Sequence, residues 1–160
     1  MTRTSLDPTD VQLLSLLQRS GRMTNAELAE RVGLSPSACL RRIQRLESEG
    51  IVLRYQAVLA ARQIGLGLRA FTSVSMTSND IDSLERFTRQ IADWDEVVAC
   101  YSTTGESDYL LHVVTPDLEA YSRFLMQKLL VFPLVRNASS SIVLETVKRE
   151  APLSLAHLTD

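Results

Sequence analysis

The 160-residue sequence predicts an α+β protein: an N-terminal winged helix-turn-helix joined by a linker to a C-terminal ferredoxin-like βαββαβ domain. Two observations carry this expectation. Within the first fifty residues, three helical segments each begin on a capping residue, and the last two are separated by a turn of about three residues containing glycine. After residue 68 the periodicity changes, and strand and helix patterns follow in the order β-α-β-β-α-β.

Asp7-Pro8 reads as N-cap and first helical residue, with Asp10 placed to face the helix dipole. Val11, Leu13, Leu14 and Leu17 supply the buried stripe, and Ser20-Gly21 closes the helix. Thr24 and Glu27 form a capping box that opens a second helix through Leu28, Ala29 and Val32, ended by Gly33. Ser35-Pro36 starts a third, with Cys39, Leu40, Ile43 and Leu46 expected inward and Gly50 as its stop. Ile51 to Leu59 is β-prone and is expected to form a wing strand. The domain thus spans 6–59, and the glycine-containing stretch 60–68 is the linker.

The second domain is expected over 69–150, with 151–160 as a tail. Its strands are placed at Ala70–Met76, Val97–Tyr101, Tyr109–Val114 and Ser140–Lys148. Helices are placed at Ile81–Trp94 and from Pro116-Asp117 through Leu118, Tyr121, Phe124, Leu125 and Leu129.

Composition sets limits. Apolar residues make up 45% and charged residues 22%, as in folded globular chains. No apolar run is long enough for a membrane helix, and the first ten residues lack a signal-peptide core. Cys39 and Cys100 stand far apart with no ligand cluster, so neither a disulfide framework nor a metal or other cofactor is expected, and a reducing cytoplasm fits. The net charge of −2 is unevenly spread: residues 1–60 hold eight Arg against six acids (net +2), and the rest holds nine basic residues against thirteen acids (net −4). A polyanion would meet the first sixty residues.

On a helical wheel with Leu40 at zero, positions 39, 40, 43 and 46 average near 290°, so the outward direction lies at about 110°. Arg41 falls at about 100°, Arg45 at about 140°, Ala38 at about 160°, Ser37 at about 60° and Gln44 at about 40°. Arg42 flanks this face. Arginine grips guanine bidentately or holds phosphate, and small residues at the helix start let it approach base edges, so this face suits the major groove of DNA. The helix starts at Thr24 and Ser35 offer N–H groups to phosphate. Arg54 is either a wing contact to phosphate or a surface charge. A solvated basic helix is the plain alternative, but the short turn, the double capping and the clustering coincide.

These residues also carry a resemblance. LDPTDVQLLSLLQRSGRMTNAELAERVGLSPSACLRRIQRLESEGIVLRY, TTGESDYLLHVVTPDLEAYSRFL and SSSIVLETVK resemble the Lrp/AsnC (leucine-responsive/asparagine-responsive, feast/famine) bacterial regulators, from Leu6 to about Leu155. The resemblance implies an effector-responsive transcription regulator that pairs through its C-terminal sheets, with four dimers often forming an octamer. It also implies an amino-acid pocket at the loop Thr103, Thr104, Gly105, Asp108 and Tyr109, with Ser139, Ser140 and Ser141 contributed by a neighbouring subunit. From spacing alone two readings of the loop stay open. Gly105 opens backbone donors for a carboxylate and Asp108 takes an ammonium, or the segment is an ordinary hairpin turn in which Asp108 bonds its own loop.

An enzyme is the competing class. His112 and His157 are isolated, and no nucleophile set, metal spacing or phosphate-binding glycine motif accompanies them. A helix-turn-helix used only to pack on another protein is the other alternative; operator binding in a salt-dependent gel shift discriminates.

Overall fold

The computed structural model of the chain describes residues 5–78 and 80–158. The first four residues of the N-terminal segment and the last two of the expected tail lie outside the described residues. The chain forms two compact units, one of Met1–Val58 with Lys148–Asp160, here called the head, and one of Leu59–Val147.

The head is built from α1 (Pro8–Arg19), α2 (Asn25–Val32) and α3 (Pro36–Ser48). Each start is locally encoded. Asp7 and Asp10 satisfy one another's backbone N–H groups, Thr24 and Glu27 do the same, and Ser35 Oγ accepts from Ala38 N–H at 3.3 Å. Gly33 ends α2 at φ 68°, a conformation that glycine adopts at little cost. The resulting turn of Gly33, Leu34 and Ser35 brings α2 and α3 together over a core of Leu13, Leu17, Leu28, Ala29, Cys39 and Ile43.

One polar cluster ties the head across its sequence. The Asp10 carboxylate is fully buried and lies between two guanidiniums of α3: Arg42 Nη1 at 2.9 Å and Arg45 Nη2 at 2.5 Å. Arg42 also reaches Asp7 at 2.6 Å. The hydrogen bonds to Asp10 N–H and Arg42 hold the Asp7 carboxyl below its ordinary pKa. The tail returns to α1: Gln18 Nε2 donates to the Leu153 carbonyl at 3.3 Å, and Leu153 N–H donates to Gln18 Oε1 at 2.6 Å.

The expected wing strand is not formed. Residues 51–60 include no strand, and Val58 is 93% exposed. High β-propensity makes a strand only when a ladder partner takes the backbone groups, and among the described residues of the head none does. Tyr55 nevertheless lies against Gly21 and donates to Glu47 Oε1 at 2.9 Å.

The second unit is one antiparallel sheet in the order β2-β3-β1-β4, comprising β1 (Leu68–Met76), β2 (Val97–Ser102), β3 (Tyr109–Thr115) and β4 (Val135–Ile142). This is the expected βαββαβ arrangement. α4 (Ile81–Ala92) and α5 (Leu118–Phe124), which continues as a π-helical turn over Leu125–Leu129, pack on one face. Alternate residues Ala70, Thr72, Val74 and Met76 of β1 point toward those helices, as do Tyr109, Leu111 and Val113 of β3. Trp94 sits edge-on to Phe87, Phe124 and Phe132 and closes the core.

The last strand begins five residues earlier than Ser140–Lys148. The β-prone stretch Leu144–Val147 lies beyond the end of β1, where the ladder stops after Val143 N–H donates to Arg69 O at 2.9 Å, and Leu144 is 90% exposed. Polar Asn137, Ser139 and Ser141 form a strand because β1 is there to pair with them.

Breaking the Asp10 cluster leaves two partly exposed arginines without their buried counter-charge, so Asp10→Ala should cost the head about 3 kcal/mol. Chemical denaturation followed by circular dichroism measures this; an unchanged midpoint would deny the cluster its structural role.

Candidate nucleic-acid interface and effector loop

The outward surface of α3 differs from the wheel in two ways. Leu40, counted inward, is 39% exposed, whereas Cys39, Ile43 and Leu46 are buried. Averaging only the buried three turns the outward direction by about 20° toward Ser37 and Gln44, with Arg41 near its centre. Ser37, Arg41 and Gln44 are exposed; Ala38 is half-buried. Arg42 and Arg45 are drawn to the flank by Asp7 and Asp10, so part of their charge is already neutralised. Among the described residues Arg41 has no ion pair. Arg54 is exposed and likewise has none among the described residues.

The two helix starts also differ. At Thr24 the Glu27 carboxylate takes Thr24 N–H at 2.7 Å and its hydroxyl at 2.8 Å, bonds that lower the Glu27 pKa. A phosphate there would compete with a carboxylate already in place. At Ser35 the first turn of α3 holds no acid, and Ser35 and Ser37 hydroxyls lie 3.3 Å apart at the exposed tip. The N-terminal half of α3 thus combines an acid-free helix start with Arg41, which has no ion pair among the described residues.

In the second unit the loop between β2 and β3 is fastened to the end of β1. Asp108 N–H donates to Val74 O at 2.9 Å, Thr103 N–H donates to Asp108 O at 2.9 Å, and Thr103 Oγ1 donates to Ser107 O at 3.0 Å. The β1–β4 register shifts between Ser75 and Met76, and at that irregularity Met76 N–H donates to Asp108 Oδ2 at 2.7 Å. Ser75 Oγ reaches Glu106 O at 3.3 Å. Gly105 has φ 116°, a conformation that side chains rarely tolerate, and it and Thr104 are exposed. The Asp108 carboxylate thus fastens the loop to β1 and does not bond its own loop, and among the described residues its Oδ1 has no hydrogen-bond partner.

Register separates the remaining candidates. Ser139 pairs with Ser73 and Ser141 with Phe71, on the sheet face away from the helices. Ser140 pairs with Thr72 on the helix side, where Tyr121 Oη bonds both hydroxyls at 2.5 and 2.8 Å. Tyr109 is buried against Phe87, ring centroids 4.9 Å apart, and burial raises its phenol pKa. Three serines in a row therefore divide between two faces. Ser73, Ser75 and Asn137 join Ser139 and Ser141 on the open face; alternation along β1 marks the first two, while Asn137 needed the true start of β4.

A helix-turn-helix with a basic outward helix, joined to a ferredoxin-like unit with an open sheet face, defines a ligand-binding transcription regulator. Residues 6–52 match the winged helix-turn-helix DNA-binding family model, and residues 69–153 match the Lrp/AsnC ligand binding domain. The chain belongs to the Lrp/AsnC family. It is 36% identical to the leucine-responsive regulatory protein of Escherichia coli K12 over 144 residues, 90% of this chain and 88% of that protein. A Neisseria meningitidis transcriptional regulator solved as a complex with L-Met is 46% identical, with a TM-score of 0.90, 96% of this chain and 99% of that one covered. An AsnC family regulator from Agrobacterium tumefaciens follows at 34% and 0.87, covering 95% and 99%. The protein is thus a DNA-binding transcriptional regulator with a small-molecule effector, and not an enzyme. No helix among the described residues is long and apolar enough to cross a membrane.

The geometry separates the arginines by experiment. Arg41→Ala should weaken operator binding by about 1–3 kcal/mol without changing the melting temperature. Arg45→Ala should lower the melting temperature as well. Fluorescence anisotropy and thermal melts of both variants decide; equal melting temperatures would remove the distinction.

Proposed function

We propose that the protein is an amino-acid-responsive regulator in which a free α-amino acid binds at the Thr103–Asp108 loop and biases how symmetric dimers present their α3 helices to a near-palindromic operator. The carrying observation is the loop itself. Gly105 exposes backbone donors suited to a carboxylate, and half-buried Asp108 has a second carboxylate oxygen suited to an ammonium. Ser139 and Ser141, beside Ser73 and Ser75 on the open face, are the hydroxyls a second subunit would bring. The 46% identical regulator with L-Met bound supports an amino acid as the class of effector.

The open face supports self-association. It carries exposed Tyr101 and Phe71, the latter stacked on His112 with centroids 4.9 Å apart. The β-prone stretches 51–59 and 144–148 also lack ladder partners among the described residues. A dimer through this face, with four dimers closing an octamer as the family resemblance implies, covers such surface. The cytoplasm is the proposed setting, where both free cysteines stay reduced.

A thermal-shift screen of the full-length protein against the twenty amino acids identifies the effector; no shift with any of them would sink the amino-acid reading. Asp108→Asn keeps an oxygen for Met76 N–H and removes the charge. Calorimetry should show effector affinity lower by one to two decades with the melting temperature preserved, whereas Asp108→Ala should lose both. Unchanged affinity in the Asn variant would eliminate the ammonium role. Phe71→Asp should sediment as a folded monomer at micromolar concentration, and a monomeric unsubstituted protein would refute the dimer.

A further inference from the structure

At the edge of the outward face of α3, about a quarter-turn from its centre, stands one side chain that an arginine-centred reading does not use. Leu40 is 39% exposed. It belongs neither to the head's core cluster nor to the partly buried residues packed on it. Its neighbours on the helix are Ser37 one turn before, Gln44 one turn after, and Arg41 adjacent, all exposed. A single exposed leucine on a protein surface is ordinary. On a helix lying in a major groove, it meets a restricted chemistry. Base edges there present donors, acceptors and the C5-methyl of thymine. Against a donor or acceptor, leucine removes water and returns no hydrogen bond, which is a net cost.

We propose that Leu40 is a specificity-determining residue that packs on a thymine C5-methyl, beside the base or phosphate held by Arg41. The proposal rests on α3 being the reading helix. It assigns the operator a preference for thymine over deoxyuridine, which hydrogen bonds from Ser37, Arg41 or Gln44 do not provide. The helix would then read with one cation and one apolar contact a residue apart, flanked by the hydroxyl of Ser37 and the amide of Gln44.

Thymine and deoxyuridine differ only by that methyl, which gives a direct test on the full-length protein. An operator is enriched from random duplex DNA, and each thymine is replaced in turn by deoxyuridine. One position per half-site should weaken unsubstituted protein about fourfold, the factor expected for losing one buried methyl. Leu40→Ala should show no penalty at that position and an unchanged melting temperature. Arg41→Ala should bind more weakly throughout yet keep the deoxyuridine penalty. If no replacement matters to the unsubstituted protein while Arg41→Ala still weakens binding, Leu40 does not read thymine and the α3 assignment stands. A penalty that persists in Leu40→Ala overturns the proposal in the same way. If neither substitution alters operator binding, the α3 assignment itself fails.

Discussion

The buried carboxylate of Asp10 is the constraint on which the head depends. It lies at the third position of α1, completes that helix's capping box and takes a guanidinium from each of two positions on α3. A carboxylate removed from water is costly unless its oxygens are satisfied, and here both are. Satisfying them draws the Arg42 and Arg45 side chains back toward α1. The exposed side chains that remain on this part of α3 are Ser37, Leu40, Arg41 and Gln44. An ion pair inside the protein thus decides which side chains are available outside it.

The second unit follows a similar logic at lower charge. An irregularity late in β1 presents the Met76 N–H to Asp108, and Asp108 in turn anchors the loop carrying Gly105. Loop geometry is therefore referred to the central strand pair. Tyr121 does the corresponding work on the helix side by bridging Thr72 and Ser140, which ties β1, β4 and α5 together through hydroxyls. What is left open is a sheet face of serines, aromatics and a histidine.

Local signals were legible in the sequence and relational ones were not. The N-caps Asp7, Thr24 and Ser35, the stop at Gly33 and the order of elements rest on nearest neighbours, and each stands as expected. Leu40 was misplaced because a wheel assumes that every apolar residue faces inward. Arg45 was read as outward from a wheel position about 30° off the outward direction; its guanidinium is drawn instead to Asp10, thirty-five residues away, which a wheel does not see. The strand expected over 51–59 and the bounds of the last strand were misread because propensity describes a residue and a ladder requires a partner. β-prone Leu144 has none, while polar Asn137 pairs with Ser75. Splitting Ser140 from Ser139 and Ser141 likewise required the register.

Because the C-terminal segment folds back on α1 through Gln18 and Leu153, the head is assembled from both ends of the chain and the effector unit is an insertion within it. A fragment cut after Val58 is then a head with a piece missing, its Gln18 amide left to water. An affinity tag appended at the C-terminus likewise hangs from the DNA-binding unit and not from the ligand-binding one.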